Sequence, residues 1–128
     1  MNSTKTINAV FINCINEDDV LMLAIGDDKQ DPKNFFIISR FDEEGLPVDE
    51  CIGFQNENTS FEIPSAIESI ELSNSELIIT LNDDAAEKSG TKKIQSTFNH
   101  LTDPAVIEDF LHVIFADAST EFIINLGE

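Results

Sequence analysis

Residues 67–81 read Ile-Glu-Ser-Ile-Glu-Leu-Ser-Asn-Ser-Glu-Leu-Ile-Ile-Thr-Leu. Ile70 and Leu72 alternate with Ser69 and Glu71. Leu77, Ile79 and Leu81 alternate with Ile78 and Thr80. An alternation of period two sends successive side chains to opposite faces of a strand. The connection Ser73-Asn74-Ser75 is short and made of turn-forming residues. The stretch predicts a β-hairpin with one face packed and the other wet.

Toward the N-terminus the strand signals continue. Residues 7–15 are mostly apolar with Asn8 and Asn13 interleaved, and Asn16-Glu17-Asp18-Asp19 is a polar turn. Residues 20–25 are a continuous apolar run ended by Gly26, so the two runs predict a hairpin. Residues 34–41, NFFIISRF, predict a third strand after the polar loop 27–32. The loop 42–50, DEEGLPVDE, is broken by Gly45 and Pro47, and residues 51–55 and 61–63 are further strand segments.

Toward the C-terminus, residues 83–89 predict a short helix, with Asp83 as its cap and Gly90 in the left-handed position after it. Residues 93–98 return to strand. Asp103 and Pro104 then open a longer helix, with Val106, Ile107, Phe110, Leu111 and Ile114 as its apolar stripe. Glu108, Asp109 and His112 lie on its opposite side. Residues 122–126 predict a last strand, which packs within the chain or pairs across an edge to make a dimer. The sum is an α+β fold: a mainly antiparallel sheet of about seven or eight short strands, with one short and one longer helix packed on one face.

The chain of 128 residues predicts a single domain, 1–128, able to bury a core without metal or disulfide. Its 25 Asp and Glu against seven Lys and Arg give a net charge of −18. Such a field repels nucleic acid and anionic membrane and attracts basic partners. There are no Tyr or Trp residues to stack on bases. No segment resembles a secretion signal or a membrane span, which predicts a cytoplasmic protein. Cys14 and Cys51 sit in apolar segments and predict reduced core thiols.

The residues that carry chemistry are few. His100 and His112 lack a metal-ligand partner at zinc spacing. Asp27, Asp28 and Asp31 superficially suggest calcium, but Pro32 and Ile38 stand where a calcium loop needs Gly and Glu. No nucleophile elbow or phosphate-cradling glycine loop occurs. The sequence therefore predicts neither enzyme, cofactor nor metal, and points to binding.

The order of segments resembles immunity protein 10, a family of bacterial polymorphic toxin systems. The stretches that carry it are Ala9-Val10, Val20-Leu21-Met22-Leu23, Asp31-Pro32-Lys33-Asn34-Phe35-Phe36 and Arg40-Phe41-Asp42-Glu43. They continue with Ile67-Glu68-Ser69-Ile70-Glu71-Leu72, Leu77-Ile78-Ile79-Thr80-Leu81 and Ala85-Ala86-Glu87-Lys88-Ser89-Gly90. The likeness covers about residues 7–116, and 117–128 extends beyond it. It implies a protein that sequesters a cognate toxin domain, and the acidic charge suits a basic nuclease. The loops 42–50 and 27–31 are then the expected partner surface, through Asp42, Glu43, Glu44, Asp49 and Glu50, and Asp27, Asp28 and Asp31. The alternatives are an acidic nucleic-acid mimic that inhibits DNA-binding proteins, and a small-ligand-binding α+β domain.

Overall fold

The hairpin at 67–81 forms as β7 (Ile67–Ser73) and β8 (Glu76–Leu81) in the computed structural model, which describes residues 4–98 and 103–126. Ile70, Leu72, Leu77, Ile79 and Leu81 are all buried, so the alternation marks one packed face as the sequence predicts. A bulge between Ile67 and Ser69 shifts the pairing once.

This hairpin is the middle of a five-stranded sheet. β9 (Lys93–Thr97) pairs with β8, β1 (Thr4–Asn8) runs parallel to β9, and β10 (Glu121–Asn125) runs parallel to β7. The order is β1-β9-β8-β7-β10. The last strand therefore packs within the chain along one of its edges.

The rest of the chain makes a second five-stranded sheet, a plain antiparallel meander. It consists of β2 (Phe11–Glu17), β3 (Val20–Gly26), β4 (Phe35–Phe41), β5 (Ile52–Asn56) and the two-residue β6 (Ile63–Pro64). The class is α+β as expected, but among the described residues ten strands in two sheets replace about seven or eight in one. The reason lies at Ala9 and Val10. The Ala9 N–H donates to the Thr97 carbonyl of the first sheet, and the next N–H, of Val10, donates to the Gly26 carbonyl of the second. A single apolar run thus supplies strands to both sheets.

The inner faces share one core. Leu23, Ile25, Phe36, Ile38 and Phe54 from the second sheet meet Ile7, Ile70, Leu72, Leu77, Ile79 and Ile94 from the first. The helices join the sheets. α1 (Asp83–Ser89) follows β8, and its Ser89 carbonyl accepts from Asn56 at the end of β5 and from Asn58. Asn82, one residue before the expected Asp83, caps it with its side chain. Gly90 is left-handed at φ 85°.

α2 (Pro104–Ile114) is capped by Asp103, buries Ile107, Leu111 and Ile114, and touches both β3 and β7. Val106, expected in that buried stripe, is 51% exposed. His112 Nε2 lies 3.4 Å from Glu108 one turn earlier, while His100 falls outside the described residues.

The cysteines depart from expectation. Cys14 is exposed on the edge strand β2, and Cys51 is half-buried. Both are free, and partial burial raises the Cys14 thiol above its ordinary pKa. Among the described residues no helix is long and apolar enough to cross a membrane.

Candidate functional site

Cross-strand register decides which residues share a face. On the outer face of the second sheet, Phe11, Asn13, Ile15 and Glu17 of β2 stand opposite Gly26, Ala24, Met22 and Val20 of β3. Those in turn stand opposite Phe35, Ile37, Ser39 and Phe41 of β4. Most of this face is apolar. Ile15, Val20, Met22, Ala24, Phe35 and Ile37 are each partly exposed, and Phe41 is 52% exposed. Among the described residues no helix lies over it, because α2 meets the second sheet on the inner side, where Ile107 and Leu111 join the core.

Two glycines shape the face. A Cβ on Gly26 would meet the Phe11 ring at 2.5 Å, so the ring occupies the space a side chain there would need. On Gly53 the Glu62 side chain takes the same place, its carboxylate accepting from the Ser39 hydroxyl at 2.7 Å. Beside it Val20, Ser39, Phe41 and Cys51 line a concavity of about 310 Å³ whose remaining walls are the carboxylate side chains of Glu43, Glu50 and Glu62.

The pairing of Val20 with Phe41 brings the β2–β3 turn to the same end as the loop 42–50. Glu17, Asp18 and Asp19 therefore join Asp42, Glu43, Glu44 and Glu50, and all of these are exposed. Asp18 and Asp19 make a two-residue turn with positive φ at both positions, 52° and 65°. That conformation ordinarily selects Asn-Gly. Of the basic residues, Arg40 alone belongs to the strands and loops at this end, and its guanidinium points inward.

The predicted site residues divide. Glu43, Glu44 and Glu50 are exposed on the rim. Asp42 is also exposed but holds Arg40, whose Nε donates to it at 2.7 Å. The Arg40 Nη1 donates to the carbonyls of Ile114 and Ala116 at 2.7 and 2.8 Å, where the last turn of α2 leaves acceptors unpaired. Asp49 receives the N–H of Ser119 at 2.8 Å and also its hydroxyl, tying the 3₁₀ turn Val48–Cys51 to the segment before β10.

The second acidic loop is elsewhere. β4 separates it from the loop 42–50 by about 20 Å, the length of a seven-residue strand. Asp27 accepts the N–H groups of Lys33 and Asn34 and the Asn34 side-chain amide. These bonds, the side-chain amide first, hold its carboxyl below the ordinary range. Asp28 accepts from the N–H groups of Gln30 and Asp31, with the same effect on its pKa. Asp31 is exposed. The Asp27 and Asp28 side chains build the loop, and the structure brings none of the three to the rim.

Glu17, Asp18, Asp19 and Glu62 are the rim residues that a reading along the sequence omits. The signal available for the first three was the hairpin itself, which fixes where its turn must lie. Among the described residues no three His, Cys, Asp or Glu side chains are placed to hold a metal ion. Comparison with protein-family models gives no match, and comparison with curated proteins gives none either.

Proposed function

We propose that this chain is a cytoplasmic immunity protein that binds and neutralises a cognate bacterial toxin domain, acting by occlusion and without catalysis. The observation that carries the reading is the apolar outer face of the second sheet, edged by carboxylates at the Phe41 end. A largely apolar, partly exposed face edged by charged side chains is a form that protein-binding surfaces take. The order of segments resembling immunity protein 10 supplies the class of partner. The net charge of −18 favours fast capture of a basic domain such as a nuclease. A nucleic-acid mimic accounts for the carboxylates and leaves the apolar face without a purpose.

The test is co-expression with any toxin-like C-terminal domain found encoded beside this chain, read as colony survival. Rescue together with a co-purifying complex supports the proposal. Death of the cells with both proteins folded and expressed removes it.

A further inference from the structure

β3 and β4 carry apolar side chains on both faces, and the core covers only the inner set. Two occupants compete for the outer set: a second copy of this chain, or a different protein. Paired copies would bring two chains of charge −18 together face to face. An isologous contact presents the same patch from both sides, and like charges set against each other oppose it. The rim thus selects a partner of opposite sign.

We infer that the outer face of the second sheet docks a basic protein surface with an apolar centre. That centre lies on Met22, Ile37 and Phe41, and the partner's Lys or Arg side chains meet Glu17, Asp18, Asp19, Glu43 and Glu50. The inference deepens the immunity reading and rests on it for the partner's role as a toxin. The concavity beside Phe41 receives one of those cationic side chains, its stem along Val20 and the ring and its charge among Glu43, Glu50 and Glu62. The two parts of the surface divide the work. Exposed carboxylates raise the association rate and are screened by salt, while the apolar centre slows dissociation.

The first arm of the test uses synthetic peptides in place of the toxin: alternating Lys–Leu, Lys–Ser and Glu–Leu sequences, titrated against the native chain and Phe41→Ser, Met22→Ser and Ile78→Ser. Thermal melts first confirm that each variant folds. Lys–Leu affinity is expected to fall by roughly tenfold or more in Phe41→Ser and Met22→Ser, and to be unchanged in Ile78→Ser on the other sheet. Equal affinity across all variants, or Glu–Leu binding as well as Lys–Leu, overturns the inference. So does a concentration-dependent dimer of the native chain that Phe41→Ser abolishes, since the occupant is then a second copy.

The second arm repeats the co-expression with the same variants. Rescue that survives both Phe41→Ser and Met22→Ser removes this face and leaves the immunity reading standing. Failure of the native chain to rescue, with Lys–Leu affinity still lost in both variants, removes immunity and leaves the face.

Discussion

The two sheets share a core but turn different outer faces to their surroundings. Across the first sheet, Glu71, Ile78 and Gln95 stand in one row with Ile123 at its β10 end, and Ser69, Thr80 and Lys93 stand in the next, so the outer face is mainly polar with two isoleucines in it. Across the second sheet, the rows are Ile15, Met22 and Ser39, then Asn13, Ala24 and Ile37. The inner faces of both contribute to one apolar core. Folding therefore accounts for one face of each sheet, and only the first sheet's outer face is made for water. Where a strand meets solvent the sequence alternates, as at 67–72; where it does not alternate, as at 20–25, a second cover is called for.

The widest expected gap lies between neighbouring residues of β4. Ile38 faces the core and is fully buried, whereas Ile37 faces outward. Ile38→Ala should cost about 4 kcal/mol through lost burial and the cavity left behind. Ile37→Thr should cost less than about 1 kcal/mol, since threonine suits a strand and little is uncovered. Urea unfolding of both variants checks this. Similar losses at the two positions would mean that the outer face is covered within the chain, and the contrast between the sheets would collapse.

Arg40 joins the second sheet to α2, and Arg40→Ala should cost about 3 kcal/mol by orphaning the carbonyls of Ile114 and Ala116. Its measured effect should appear as a lower unfolding midpoint with an unchanged response to Lys–Leu peptide in the fraction still folded. A specific loss of peptide binding without loss of stability would instead put Arg40 on the docking surface.

What the sequence shows of this molecule follows from which signals are local. The hairpin 67–81 is legible because its alternation and its turn occupy fifteen consecutive residues. Asp103 with Pro104, and Gly90, are legible because a cap bonds within its own turn. The split of residues 7–15 between two sheets is not, because two adjacent N–H groups choose partners far along the chain, Thr97 and Gly26. The site was half legible for the same reason. Exposed acids at 42–50 can be read directly, but their neighbours at 17–19 arrive through the β3–β4 pairing. Nor does the sequence separate a free carboxylate such as Glu43 from one already used, such as Asp49 with Ser119.

The turn at Asp18 and Asp19 sharpens the difference between stability and binding. Both residues hold positive φ, a conformation in which Gly is free of strain and Asn fares better than most side chains. Asp18→Asn with Asp19→Gly should stabilise the fold by up to about 1 kcal/mol, the relief of left-handed strain at residue 19 outweighing the freedom that glycine adds to the unfolded chain. The same change removes two rim charges and should slow association with a basic partner at low salt, with the difference fading as salt rises. Stopped-flow rates across ionic strength would decide it. Rates indifferent to both the substitution and the salt would confine recognition to the apolar centre.

The smallest effect is expected at Asp27, and it separates the two acidic loops by function. Hydrogen bonds from Asn34 and Lys33 depress the folded carboxyl below its unfolded value. The native state therefore holds fewer protons than the unfolded chain as pH falls through the carboxylate range. The stabilisation is complete above the unfolded pKa and disappears once pH drops through the lower folded one. Asp27→Asn lacks this contribution, so its melting temperature should lie slightly below that of the native chain at neutral pH, and the gap should close under acid. Its affinity for Lys–Leu peptide should not change, because β4 holds this loop away from the rim. Glu43→Gln and Glu50→Gln should behave in the opposite way, with weaker peptide binding at low salt and an unaltered melt. A gap that persists into strong acid would assign Asp27 a role other than its charge in closing the loop. A loss of peptide affinity in Asp27→Asn would extend the docking surface along the whole length of the second sheet.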